Sequence, residues 1–176
     1  VGREMIDGIE VSLVDSAMPM MLLDGRSLGL ESLPAAIAAV GPALFARTEP
    51  LRLEAGRRMG LGDVASSVVP KVGLLFPGND TGTTIAVAYL TPWALHQSLA
   101  VTGGICIATA VCTPGTLAET LAAPVDGEVV IAHPAGLMPL LVERGEGSLV
   151  GAGVMRTARR IFEGRVFVPE SCFARN

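Results

Sequence analysis

LAVTGGICIATAVCTPGT, residues 99–116, is the stretch on which the fold turns. After Gly103 and Gly104 it runs through ICIATAVC without a charge, and isoleucine is its largest side chain. A surface helix carries a polar stripe, so a helix apolar on every side has to be enclosed on nearly every side. Thr102 is placed to act as its N-cap, and Pro114-Gly115 is a stop signal. Gly, Ala, Thr and Cys are small enough to let strands approach closely. The expectation is a sheet wrapped round one central helix.

Glycines in a first helical turn leave the backbone amides uncovered. Together with the positive end of the helix macrodipole, these amides make an anion site that needs no Lys or Arg. A substrate carboxylate is the economical ligand. Close packing would explain Gly103 and Gly104 equally well, and the stretch by itself leaves both readings open. The cysteines are weaker candidates. Six residues apart on a helix, Cys106 and Cys112 sit about 9 Å apart along the axis and roughly 120° apart around it, so they can neither share a metal nor bridge. Cys106 is close enough to the first turn to gain thiolate stabilisation, whereas Cys112 at the other end is not. Core packing is the preferred reading of both, and Cys172 has no evident role.

Outward from this stretch, Thr81 to Ala118 contains no Asp, Glu, Lys or Arg. A membrane span would need about 20 consecutive apolar residues, and TPW, HQS, TGG and TPGT interrupt the run. A buried hairpin followed by a buried helix fits better. KVGLLF (71–76) and TTIAVAYL (83–90) read as its strands, with PGNDTG (77–82) as the turn. IEVSLVD (9–15) and MPMMLLD (18–24) read as two strands joined by a kink, and VGREM as a polar lead. The Ala-, Leu- and Arg-rich stretch 33–60 has prolines at 34, 42 and 50, which suit helix starts and suggest helices over 35–47 and 50–59. Residues 127–147 give two strands around HPAG, and 148–169 another pair turning at Glu163-Gly164. Strands arriving as hairpins predict an α+β fold with a mostly antiparallel sheet.

The chain has 176 residues, 50% of them hydrophobic and 17% charged, which suits one domain with a large core. A formal charge of −4 and the absence of a Lys/Arg run argue against a nucleic-acid partner or an anionic membrane surface. Three cysteines without framework or CxxC spacing point to a reducing, cytoplasmic setting. The chain opens without Met and runs almost directly into a strand, which reads as a piece of something longer.

Of the remaining candidates, His96 and His133 could both reach a pocket at the helix start and donate to an anionic oxygen or move a proton. A structural, hydrogen-bonded histidine is the alternative for each. Lys71 could pair with a carboxylate or be an exposed strand-start lysine. Asp15 and Ser16 lie at a bend of the kind that borders sites, and could equally be turn formers. No P-loop, GxGxxG after a strand, HExxH, GxSxG or metal-ligand spacing is present, so no metal or cofactor is expected.

GIEVSLVDSAMPMMLL, PKVGLLFPG, LHQSLAVTGGICIATAVCTPGT, IAHPAGLMPLLVE and VMRTARRIFEGRVFVP, in this order, resemble the second half of PrpF-type isomerases. That family includes 2-methylaconitate cis-trans isomerase and 4-oxalomesaconate tautomerase. The resemblance implies a diaminopimelate-epimerase-like fold of two similar domains, each a curved sheet round a central helix. Residues 1–176 would be a single domain, the C-terminal half. It also implies cofactor-independent proton transfer on small unsaturated di- or tricarboxylates. Thr102, Gly103 and Gly104 match the family's turn at the helix start, His96 the preceding histidine, and His133 and Gly136 the ends of its HPSG element. Asp15, Ser16 and Pro19 match its DAANP bend, where Met18 replaces asparagine; Ala135 replaces the HPSG serine. The partners implied are a small carboxylate substrate and the first domain, which carries most of the proton-transferring groups, including a catalytic lysine. This half alone is therefore expected to be inactive. A homodimer is compatible with this reading. Loss of polar groups at Met18 and Ala135 leaves a non-catalytic ligand-binding or structural domain as the alternative, and a cysteine-based racemase would need Cys106 as a reactive thiol at the cleft.

Overall fold

Two alternating runs joined by Asp-Gly are a strong hairpin signal, and the chain begins with one. In the computed structural model, which describes residues 2–78, 82–123, 125–144, 149–155, 157–169 and 172, β1 (Arg3–Ile6) pairs antiparallel with β2 (Ile9–Asp15). Asp7 and Gly8 both have positive φ, 46° and 77°, as a two-residue type I′ turn requires. The polar lead is thus an edge strand, its first three residues exposed, and Asp7-Gly8 was the signal for it. After the bend at Ser16–Met18, β3 (Pro19–Asp24) returns beside β2.

Helices α1 (Leu33–Ala38) and α2 (Pro42–Arg58) come next. Pro34 starts α1 as expected, but the helix expected over 35–47 breaks at 39–41 and restarts at Pro42, while Pro50 lies inside α2 and the predicted break between residues 47 and 50 does not occur. An interior proline removes one helical hydrogen bond at a cost of about 3 kcal/mol. Leu44, Thr48, Leu51, Arg52, Ala55 and Gly56 are buried along one continuous stripe of this helix, and that burial offsets the loss.

The remaining elements are β4 (Lys71–Pro77), β5 (Ile85–Thr91), the short β6 (Ala94–Leu95), α3 (Val101–Val111), α4 (Leu117–Leu121), β7 (Glu128–His133), β8 (Gly136–Arg144) and β9 (Leu149–Gly153). The turn expected at 77–82 falls partly on residues 79–81, outside the described residues. Among the described residues the strands form one nine-stranded sheet in the order β1-β2-β3-β4-β5-β7-β8-β9, with β6 beside β5. Most pairings are antiparallel, but β3 with β4 and β5 with β7 are parallel. Each parallel pair is joined through helices, as parallel strands require, so the sheet is mixed rather than built of hairpins alone.

In a flat sheet β2 and β8 would stand about 24 Å apart, five spacings of about 4.8 Å, and a helix is only about 10–12 Å wide. Yet α3 touches β2, β3, β7, β8 and β9. The sheet therefore bends round α3, and the buried face of this helix explains why: Gly103, Gly104, Cys106, Ile107, Ala108, Ala110 and Val111 are all enclosed. One core lies on this inner face, built on α3 with Met20, Leu22, Val87 and Tyr89. A second lies on the outer face, where α1 and α2 cover Met21, Leu23, Val72, Leu74 and Leu90.

The strand pair expected over 148–169 is reduced to β9. Residues 157–169 form no regular hydrogen-bonded structure, and Ile161, Phe162, Val166 and Phe167 are more than four-fifths exposed. A strand needs an edge to pair with, and among the described residues none receives this segment; there is no hairpin at Glu163-Gly164.

Candidate functional site

The first turn of α3 is set by how the chain enters it. Leu99 is buried with φ +45°, a conformation rare for a branched side chain, and Ala100 is extended. The helix consequently starts at Val101, with Ala100 as N-cap and no side-chain cap bond. Thr102 is not the cap expected of it; it stands exposed within the first turn. The Gly104 amide donates to the Ala100 carbonyl at 2.9 Å. The open donors of the helix end are therefore the amides of Val101, Thr102 and Gly103.

The two glycines have a packing role. A Cβ on Gly103 would lie 2.6 Å from Cε2 of Tyr89, and one on Gly104 would lie 2.7 Å from Sδ of Met138. Without side chains, the helix start settles directly onto β5 and β8. Of the two readings left open, close packing accounts for both glycines, and an anion role remains available to the Gly103 amide alone.

A cavity of about 550 Å³ opens at this helix start, lined among others by His96, Leu99, Ala100, Val101, His133 and Met138. The β7–β8 turn carrying His133 is tied to the 96–98 loop by the Ala135 amide, which donates to the Gln97 carbonyl at 3.0 Å. Each imidazole is oriented by its own turn. Nδ1 of His96 accepts from the Ser98 amide and Nδ1 of His133 from the Ala135 amide, both at 3.2 Å. That pairing assigns the neutral tautomer in which Nε2 carries the proton and can donate. Burial pushes the His133 pKa down, the Gln97 carbonyl beside it opposes this, and the nearby His96 adds to the depression.

The other sequence candidates are distributed differently. Gly136 shapes the β7–β8 turn with φ +137° but does not line the cavity. Asp15, Ser16 and Met18 lie on the β2 flank of α3: the Ser16 and Thr109 hydroxyls are hydrogen-bonded at 3.1 Å, and Met18 packs on the inner core. Lys71 is not an exposed strand-start lysine. It is only 8% exposed, and burial, then the charge of Arg52, lowers its pKa.

Cys106 is fully buried and donates to the Val14 carbonyl at 3.7 Å. Burial pushes its thiol up to about 12, so it supplies no thiolate near neutral pH and cannot serve as a racemase base. Cys112 is buried at the C-cap of α3. Sequence reasoning passed over Tyr89. It is the chain's single tyrosine, its ring lies edge-on to His96 with centroids 5.8 Å apart, and burial raises its phenol to about 12. The available signal was a lone phenol in an otherwise aliphatic strand.

A second cavity of about 500 Å³ lies on the outer face beside Arg26, Ser32, Phe76 and Ala132. Arg26 is committed to Asp24 and the Ser32 hydroxyl to the Ala35 amide at the start of α1, and the Glu31 carboxylate on its wall disfavours an anion. The inner cavity is the better candidate because two imidazoles and the start of α3 border it and no carboxylate does. Among the described residues no His, Cys, Asp and Glu cluster could hold a metal ion, and no helix is long and apolar enough to cross a membrane.

A family model described as PrpF protein matches residues 4–169. YbhH of Escherichia coli strain K12, whose name proposes an isomerase and gives no substrate, is 38% identical over 168 residues, covering 93% of this chain and 47% of that protein. The 4-oxalomesaconate tautomerase of Pseudomonas putida strain KT2440 is 34% identical over 170 residues, covering 94% of this chain and 47% of the tautomerase. The chain thus spans about half the length of these curated relatives. A crystal structure of methylitaconate-delta-isomerase superposes with a TM-score of 0.78 at 24% identity, over 96% of this chain and 49% of that one, which shows a shared α+β fold.

Proposed function

The chain belongs to the PrpF family, and from that premise we propose that it is the carboxylate-binding half of a two-domain isomerase or tautomerase with the diaminopimelate-epimerase-like arrangement. Its substrates are small unsaturated di- or tricarboxylates, and the reaction moves a double bond by proton transfer without a cofactor. The observation that carries this reading is the inner cavity, where the start of α3 and two imidazoles meet with no cation or carboxylate among the lining residues. Relatives named for action on oxalomesaconate and methylitaconate agree in substrate class.

The chemistry follows from where charge develops. Removing a proton from the carbon next to a conjugated system places negative charge on the attached carboxylate. Amides fixed at a helix start, with the macrodipole behind them, stabilise that charge without reorganising. His96 and His133 donate from Nε2 and orient the carboxylate. The groups that remove and return the proton belong to the other half, so Thr102, Gly103, His96 and His133 bind and orient here.

Titration calorimetry with trans-aconitate tests this. We expect binding by the 176-residue chain, weakened at least tenfold in His133→Ala, with double-bond transfer only in a protein that contains both halves. Absence of binding overturns the proposal. Binding without turnover by the two-domain protein favours a non-catalytic ligand-binding domain, a reading that the apolar Met18 and Ala135 support.

A further inference from the structure

The chain's single tyrosine packs against the start of α3 yet does not line the cavity there. Tyr89 is 1% exposed. Its hydroxyl is fully enclosed and, among the described residues, is the one buried side-chain polar atom without a hydrogen-bond partner. Burial raises the phenol to about 12, so it stays protonated near neutral pH. It can neither touch a ligand in the cavity nor serve as a base. A phenylalanine would fill the same place with no hydroxyl to leave unpaired. What the residue offers its surroundings is a ring.

Three contacts tie that residue to the site. β5 and β6 pair with Leu90 opposite Leu95 and Thr91 opposite Ala94, a register that brings His96 opposite Tyr89. The His96 amide donates to the Tyr89 carbonyl at 2.9 Å. The two rings then meet edge to face, with centroids 5.8 Å apart and an interplanar angle of 79°, an arrangement that aromatic pairs favour and that fixes orientation as well as distance. The third contact is with α3, where Gly103 has no room for a side chain: a Cβ there would lie 2.6 Å from Cε2 and 3.0 Å from Cζ of Tyr89. One ring thus touches both the His96 imidazole and the helix turn whose first amides are open.

An imidazole on a loop and amides on a helix serve one carboxylate only if their separation is held. The Ser98 amide restrains a single atom of the His96 ring, Nδ1, and leaves the ring free to turn about that bond. We infer that Tyr89 is the positioning residue of this site: its ring, braced against Gly103, supplies the second restraint and holds the His96 imidazole in register with the first-turn amides of α3. The inference rests on the carboxylate-binding reading above and adds to it a residue that touches no substrate. The neighbouring Ala88 and Leu90 of β5 show what an ordinary position on this strand carries, and an aliphatic side chain has no flat ring to set the tilt of another.

The chain has two histidines, so imidazole nitrogen NMR of the 176-residue protein resolves His96 and reports its tautomer, while calorimetry with trans-aconitate reports the site. Tyr89→Phe should keep the Nε2–H tautomer of His96, bind within about twofold of the unmodified chain and melt no lower. Tyr89→Leu should mix the tautomers and weaken trans-aconitate about fivefold, yet change affinity less than about twofold where His96→Ala is already present, because residues that act through one another are not additive. A packing role alone would weaken binding equally in both backgrounds, and that result overturns the inference. Unchanged His96 spectra in Tyr89→Leu overturn it too, as does a Tyr89→Phe protein that binds as poorly as Tyr89→Leu. Gly103→Ala keeps the amide but presses its Cβ on the same ring, and should reproduce the mixed tautomers in smaller measure; unchanged spectra there overturn the inference even where Tyr89→Leu does not fold. If the unmodified chain binds no trans-aconitate, the carboxylate reading falls, and the His96 spectra alone then decide whether Tyr89 positions the imidazole.

Discussion

Among the described residues two cations are buried, and the fold treats them differently. Arg52, on α2, is fully enclosed, yet it meets Glu49 twice and the carbonyls of Val64, Ser67 and Val69 at 2.9–3.4 Å. It ties the loop between α2 and β4 to the outer face. Lys71, the first residue of β4, pairs with Met20 of β3 but has no ion-pair partner among the described residues. The contrast extends to the two faces. On the outer face Thr48 donates to Leu44, Ser32 caps α1 and Arg47 reaches Leu28. On the inner face, the first-turn amides of α3 and the Tyr89 hydroxyl have no partner among the described residues. Burial of a charge is structural where every donor is met.

Breaking the satisfied side should cost most. Arg52→Met strands Glu49 and three carbonyls, and urea denaturation should show a loss of about 3–5 kcal/mol. Gly103→Ala drives a Cβ into the Tyr89 ring and should cost about 1–3 kcal/mol. Gly104→Ala meets only the tip of Met138 and should cost less, because thioethers adapt; thermal melts of the pair separate rigid from yielding contacts. Thr116→Ala removes the α4 cap and its 2.6 Å bond to Ala110, for about 0.5–2 kcal/mol. The smallest effect is a pH dependence at His133. Burial holds its folded pKa below the ordinary 6.5, so the unfolded chain binds the proton more readily. The stabilising contribution is complete above that value and is lost as pH falls through the lowered one. His133→Gln should therefore flatten the acid-side decline of the melting temperature.

Much of the inner architecture was legible because composition constrains it. A charge-free run of small and aliphatic residues such as 105–112 admits few solutions besides enclosure, and α3 is enclosed. His96 and His133 were both expected near its start, and one cavity holds them. What failed did so where a local signal competed with a distant one. Pro50 reads as a helix start, but the buried stripe from Leu44 to Gly56 carries the helix through it. Thr102 reads as a cap, but the buried turn at Leu99 starts the helix earlier. Residues 148–169 read as a strand pair turning at Glu163-Gly164, but 157–169 have no edge to join within the described residues.

The sequence by itself determined that this chain would close a sheet round an apolar helix, because hydrophobic pattern and residue size act locally and add up along the chain. Only the tertiary structure decided which polar groups stay unspent. Tyr89 is an ordinary strand residue until α3 closes over it. Whether a buried donor then finds an acceptor depends on what the packing brings to it, and here the packing brings none.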